Sequence, residues 1–335
     1  MKLNIGIVGF GYWGPNLVRN FSASNQTVVK RVIDFKADRL AIVNQLYPSV
    51  LTSSNLSDLY KDSTIDAIVI ATPVHTHFDI AKQALMEGKH VLIEKPVTSS
   101  FAQAQELLEL GAKMNKVVMV DHTFLYTGAI NYLQQFIANQ HLGSLKYFDS
   151  TRINLGLFQH DVNVLWDLAP HDLSILSYIQ NEQPISVNAT GISQLNNGIE
   201  NLAYLTLNYQ SGFIAHLNCS WTSPVKIRTL LIGGDKKMIL YNDLEPTEKI
   251  KVYDTGLEVT SDEERNRMLV DYRVGDVFIP KISGKEALAG VVTDFANACL
   301  SGTKPVSNIE LGAKVVQILE AAQKSIKNSG NEVKL

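Results

Sequence analysis

The chain lacks most of the features that mark specialised protein classes. Of its 335 residues only Cys219 and Cys299 are cysteine, too few for a disulfide framework, so a reducing compartment is expected. It has no run of Lys or Arg, and a formal net charge of -3 argues against a nucleic-acid-binding surface. Long hydrophobic runs are missing too. The apolar stretch "AIVIATPV" is far too short to span a bilayer. The opening "MKLNIGIVGF" goes straight into a strand-like pattern, without the charged region, apolar stretch and cleavage site of a signal peptide. A cytoplasmic protein is therefore expected, with no membrane partner. No internal repeat or low-complexity tract is present.

What remains is ordinary globular material, 45% hydrophobic and 19% charged. Its length favours two domains. In the first third, short apolar runs alternate with helix-length segments. "LNIGIVGF" (3–10), "VVKRVID" (28–34), "AIVIAT" (67–72), "HVLIEKP" (90–96) and "KVVMVD" (116–121) read as strands. Near-continuous β-branched runs between amphipathic helices imply parallel strands covered on both faces, a doubly wound α/β domain over 1–122. Beyond it, strand patterns follow at 146–154, 185–193, 200–210, 212–221, 226–234 and 237–243. Alternation as in "AYLTLNY" indicates one buried face. An α+β domain over 123–335, with a mostly antiparallel sheet and helices on one face, is expected. Residues 244–284 are charged and irregular, and two helices, about 285–301 and 308–328, close the chain.

Three glycines carry the first chemical signal. Gly9, Gly11 and Gly14, in "GFGYWG", have G-x-G-x-x-G spacing between a strand and a helix. Gly9 permits a tight turn, Gly11 lets backbone approach a pyrophosphate, and Gly14 lets the helix pack closely with its N-terminus facing the anion. Pro15 suits a first helical turn. Asp34 ends the second strand about 20 residues on, as a ribose-binding carboxylate should. A dinucleotide site including Phe10, Tyr12 and Trp13 is expected. Asp34 favours NAD over NADP, because a carboxylate repels a 2′-phosphate, although nearby Lys36 and Arg39 would soften that preference.

Ligands of open α/β sheets gather beyond the carboxyl ends of the strands. Glu94, Lys95 and Pro96 lie there, so Lys95 is a candidate to bond a hydroxyl at the cofactor crevice; the competing reading is a surface lysine paired with Glu94. Thr72, Pro73, His75 and His77 follow the 67–72 strand. H-x-H without Cys or an obvious carboxylate falls short of a metal set, so no metal is expected and Thr72, Pro73 and His77 are read as lining the crevice.

"WDLAPHDLSIL" (166–176) places apolar residues at helical spacing, with Asp167 and His171 as i, i+4 neighbours on the other face. Pro170 belongs in a first turn, which puts the helix start near Asp167. Asp167 is then either a cap or a carboxylate that orients His171 as a general base for an alcohol proton. Asp172 projects into the apolar arc, where a charge needs a partner.

"GFGYWG", "ATPVHTH", "EKP" and the D-x-x-x-H helix together resemble the glucose–fructose oxidoreductase / inositol dehydrogenase / MocA family of NAD(P)-dependent sugar and cyclitol dehydrogenases. The resemblance runs over most of the chain, including the closing stretch. It implies Lys95, Asp167 and His171 as the catalytic set, and a cis Pro96 that aims the lysine. Many members carry an arginine after the last strand of the nucleotide domain; here His122, Phe124 and Tyr126 stand instead. "STRINLGLFQHDVNVLWD" is similar to the branch found in nucleotide-sugar pathways, which makes Arg152, Asn154 and Asn163 candidate substrate contacts beside Lys95 and His171; the alternative for those three is ordinary strand-edge polarity.

The resulting expectation is an NAD-dependent dehydrogenase that oxidises a ring hydroxyl of a nucleotide-activated hexose, such as a UDP-N-acetylhexosamine, to a ketone. A free sugar or cyclitol dehydrogenase, a keto-sugar reductase and a non-catalytic NAD sensor stay open as alternatives. A homo-oligomer, dimer or tetramer, is expected.

Overall fold

The computed structural model describes residues 2–156, 158–195, 198–255 and 275–335. Strand and helix alternate from the start: β1 (Leu3–Val8), α1 (Gly14–Ala23), β2 (Thr27–Ile33), α2 (Ala37–Leu46), β3 (Leu51–Ser53), α3 (Ser57–Tyr60), β4 (Ala67–Ile70), α4 (Val74–Met86), β5 (His90–Glu94), α5 (Phe101–Met114) and β6 (Val118–Asp121). The six strands form one parallel sheet in the order β3-β2-β1-β4-β5-β6. The order reverses between β1 and β4, the switch point at which doubly wound sheets open a ligand crevice. β4 and β6 are buried at every position, which explains the apolar run that fills β4 and that of β6 up to Asp121. β3 and α3 have no counterpart in the sequence reading, because three or four residues are too few to show a period.

A short 3-10 turn (Thr123–Tyr126) ends this region. Next come α6 (Gly128–Ala138), β7 (Leu145–Leu155), α7 (Val164–Ile179), β8 (Pro184–Ile192), β9 (Leu202–Tyr209), β10 (Ile214–Ser220), β11 (Thr222–Gly234), β12 (Met238–Asn242), β13 (Ile250–Tyr253) and β14 (Val277–Phe278). The chain closes with α8 (Ala287–Ser301), α9 (Ile309–Lys327) and β15 (Val333–Lys334). Among the described residues the second sheet has nine strands, ordered β14-β13-β12-β11-β7-β10-β9-β8-β15. All its pairs are antiparallel except β10 with β7. α7 packs against β7, β9 and β10, and α6 against α7. Of the stretch 244–284, expected to be irregular, β13 and β14 take part in the sheet; 256–274 lie outside the described residues.

Two compact units result, Met1–Thr127 with Lys285–Gln317, and Gly128–Gly284 with Ile318–Leu335. The expected boundary near 122 is close, but the expected assignment of everything after it to the second domain differs from this division. The reason is hydrophobic. Leu288, Val291, Val292 and Phe295 of α8 belong to the core built by Leu3, Ile5, Ile7, Leu17, Val18 and Phe21, and Phe295 meets Phe21 edge to face at 6.3 Å. Ser307 adds backbone pairing, accepting from the Val120 N–H at 2.9 Å. Among the described residues no helix is long and apolar enough to cross a membrane.

Candidate active site

The glycine loop follows β1. Gly9 has φ +97, a left-handed conformation that side chains resist, and a Cβ there would collide with the Ala71 carbonyl. Gly14 packs onto the Gly9 carbonyl, so it is fixed by the close approach of helix to strand. A Cβ on Gly11 would meet nothing nearer than Arg39 Nη1 at 3.6 Å, so the loop is open at its centre. Trp13 occupies the cap position of α1 without a side-chain capping bond, and Pro15 lies in the first turn. Such a cradle fits a dinucleotide pyrophosphate: open backbone at Gly11 beside an uncapped helix N-terminus. Tyr12 and Trp13 are exposed next to it. Phe10, expected at the cofactor, instead buries its ring in the core.

Asp34 is held from three sides. Its carboxylate accepts from the Phe10 N–H at 2.7 Å and the Lys36 N–H at 2.9 Å, and pairs with the Arg39 guanidinium at 3.2 Å. Burial alone would raise its pKa, but these donors outweigh burial and hold it below the ordinary carboxylate range. The end of β2 therefore carries a fixed, ionised carboxylate beside the glycine loop, as a ribose partner requires.

Beyond β4, Thr72 and Thr76 hydroxyls meet at 2.6 Å, and Pro73 caps α4. His77, read from sequence as lining the crevice, is 1% exposed and lies behind the loops. Its Nδ1 is 3.0 Å from the Pro96 carbonyl and its Nε2 is 2.7 Å from the Thr72 carbonyl. Burial lowers its pKa. The ring ties the loop after β4 to the loop after β5, and so acts as a brace. The Lys95–Pro96 peptide is cis, as the family resemblance implied. Lys95 is half-buried at the carboxyl end of β5.

Glu94, a further candidate cofactor contact by its place at the carboxyl end of β5, is buried and faces Asp121, its register partner on β6. Burial, then the Asp121 charge, raises the Glu94 pKa well above the ordinary value, and burial pushes Asp121 up to about 6. His122 beside them is 1% exposed, with its pKa brought down to about 3 by burial and by Lys95. Sequence reasoning missed this cluster, although two neighbouring parallel strands ending "IE" and "VD" carry its signal.

In the second unit, α7 starts at Val164, a full turn earlier than expected. Asn163 is its cap: the side-chain oxygen accepts from the Trp166 N–H at 3.2 Å, and the amide donates to Glu200 at 2.8 Å and to Gln323. A capping side chain that meets an orphan N–H decides where a helix begins, and it leaves Pro170 inside. Asn163, a candidate substrate contact from sequence, is thus a helix cap. Asp167 is consequently not the cap. It accepts from the buried Trp221 indole N–H at 3.0 Å, which fixes its orientation one turn before His171. Asp172 has the partner its position demands. It accepts from Arg152 Nε at 2.9 Å and Nη2 at 2.6 Å, and from Ser150 Oγ at 2.7 Å. Arg152 is only 4% exposed and paired with Asp172, so it anchors α7 to β7. Asn154 remains half-buried near the end of β7.

A doubly wound sheet with an open glycine cradle, and a fixed carboxylate ending its second strand, define a dinucleotide-binding oxidoreductase. More narrowly, the chain belongs to the GFO/IDH/MocA family. Residues 3–122 match its "oxidoreductase family, NAD-binding Rossmann fold" domain and residues 130–240 its C-terminal domain. The chain is 27% identical over 325 residues to UDP-N-acetylglucosamine 3-dehydrogenase of Acidithiobacillus ferrooxidans, covering 91% of each. The solved structure of that enzyme covers 99% of this chain at a TM-score of 0.83 and 22% identity, with 100% of that structure matched. Levoglucosan dehydrogenase, solved with NADH and levoglucosan, matches at a TM-score of 0.86 and 18% identity over 100% of this chain and 99% of its own.

Proposed function

We propose that this oxidoreductase uses NAD to oxidise a ring hydroxyl of a nucleotide-activated hexose, of the UDP-N-acetylhexosamine type, to the ketone. The observation that carries the cofactor half is Asp34, an ionised carboxylate locked by two backbone N–H groups beside the open Gly11. The substrate half is supported by similarity to UDP-N-acetylglucosamine 3-dehydrogenase along 91% of both chains.

When bound, the nicotinamide supplies the hydride acceptor. The chain's own residues do the rest. His171 takes the proton of the hydroxyl, and Asp167, itself oriented by the Trp221 indole, holds the imidazole in place. Lys95 donates a hydrogen bond to the same hydroxyl oxygen. The cradle of Gly9, Gly11 and Gly14 receives the pyrophosphate.

The test is appearance of reduced nicotinamide with UDP-N-acetylglucosamine, UDP-N-acetylgalactosamine, dTDP-sugars, free hexoses and myo-inositol side by side. Turnover confined to the nucleotide sugars is expected; turnover of free sugars alone overturns the substrate assignment. Lys95→Ala and His171→Ala should each lower kcat by about a hundredfold or more while NAD binding persists. Near-normal turnover in either variant overturns its role.

A further inference from the structure

We infer that Glu94 and Asp121 share one proton and together present a single negative charge to Lys95, so that this buried acid pair is a positioning element for the candidate site lysine. Because it deepens the role given to Lys95, the inference rests on that reading; its spectroscopic test does not.

The geometry is set by register. Glu94 and Asp121 are partners on adjacent parallel strands, which lie about 4.8 Å apart, with side chains on the same face. Both are buried. One oxygen of each is satisfied: Glu94 Oε2 accepts from the Lys95 N–H at 3.2 Å, and Asp121 Oδ1 from the Thr123 hydroxyl at 2.7 Å. The other two, Glu94 Oε1 and Asp121 Oδ2, are buried with no donor among the described residues. Two bare carboxylate oxygens enclosed together repel, and each lacks a donor among the described residues. One proton between them removes both defects, since each oxygen gains a partner and the pair drops to one charge.

Every charged or titratable neighbour is consistent with that state. Lys95, at the end of β5, is close enough for its charge to favour ionisation of both acids. His122, at the end of β6, has both ring nitrogens buried without a partner among the described residues and is held neutral, so it brings no second positive charge. Tyr126, in the 3-10 turn, donates its hydroxyl to Asp294 of α8 at 2.7 Å, and burial raises its pKa, so it too stays neutral. Among the described residues the cation acting on the pair is the Lys95 ammonium, and one shared proton leaves one negative charge to match it. The pair does not touch the reacting atoms; it acts through the lysine.

The experiment is carbon-13 NMR of the full-length protein with labelled Asp and Glu side-chain carboxyls, followed across pH, beside Glu94→Gln and Asp121→Asn. In the parent protein both carboxyl carbons should move together through two steps, the upper one above the ordinary carboxylate range. In each amide variant the surviving acid should titrate in one step, lower by about one unit or more. Independent single-step titrations, unchanged by the neighbour's replacement, overturn the proposal. Should both variants fail to fold, the parent titration decides alone, because two-step behaviour at both carbons requires coupling. Turnover adds a reading that mere packing would not move. The inflection of kcat/KM with pH that belongs to the pair should vanish in each amide variant and return in the swapped double variant Glu94→Asp with Asp121→Glu. A profile unaltered by any of the three overturns the positioning role. Coupled titration without turnover on any sugar would keep the shared proton and remove the proposed reaction.

Discussion

Asp34 shows how a single side chain can be readied for the cofactor role proposed for it. Its oxygens are oriented before any ligand arrives, because the Phe10 and Lys36 N–H groups and Arg39 hold them. Asp34→Ala should raise Kd for NAD about ten- to a hundredfold, the worth of hydrogen bonds to a charged group, and should narrow the preference over NADP; titration calorimetry with both cofactors checks this. The same bonds carry a pH signature. The folded pKa lies below the unfolded one, so the stabilisation is present above about pH 4 and is lost as pH falls through the folded value. Acid melting curves of the parent protein and Asp34→Asn should therefore converge at low pH and diverge toward neutrality. Spacing alone made Asp34 legible in the sequence. The pairing of Arg152, read as a candidate substrate contact, with Asp172 was illegible for the opposite reason. The sequence presents an unpartnered acid at 172 and a strand arginine at 152, and only the packing of α7 on β7 brings them together. Glu94 and Asp121 meet for a similar reason: each strand visibly ends in an acid, but strand register decides that the two are paired.

At the scale of an element, α7 is fixed on its sheet and carries Asp167 and His171 one turn apart. Its apolar residues Leu165, Ala169, Leu173 and Leu176 give non-directional burial, whereas Asp172 locks it to β7 through three hydrogen bonds from Arg152 and Ser150. Removing one partner leaves a buried charge uncompensated. Arg152→Ala or Asp172→Ala should each destabilise the protein by about 3–5 kcal/mol, while an apolar double replacement, Arg152→Met with Asp172→Leu, should cost less than either. Urea unfolding followed by tryptophan fluorescence measures all three. A double replacement worse than both singles would mean that the pair stabilises beyond its packing. The helix was legible by its period, but its start was not. Pro170 pointed to a beginning near Asp167, yet the bonds made by Asn163 to Trp166, Glu200 and Gln323 determine it, and two of those partners are remote in sequence.

For the whole chain, parallel β runs and alternating antiparallel strands were readable because burial on two faces and on one face leave different periods. What periodicity cannot reveal is which core a late helix joins. α8 follows the second sheet in sequence but belongs to the first unit, where Leu288, Val291, Val292 and Phe295 are buried against Leu3, Ile5 and Phe21. Full burial of each such side chain is worth about 1.5–3 kcal/mol, so the four together rival the roughly 5–15 kcal/mol that separates folded from unfolded domains. Polar contacts add direction, with Gln26 donating to Asn297 at 2.7 Å and the Ser307 hydroxyl to the Val120 carbonyl at 2.6 Å. A nucleotide-binding fragment cut where the sequence rhythm changes should therefore fail. Residues 1–127 alone should aggregate or melt without cooperativity and bind no NAD. The same fragment joined through a Gly/Ser linker to residues 285–317 should melt cooperatively and bind NAD with an affinity near that of the full chain. Calorimetric melting and NAD titration of the two fragments decide the matter: if 1–127 alone melts cooperatively and binds NAD, α8 is a covering added to a domain that is already complete.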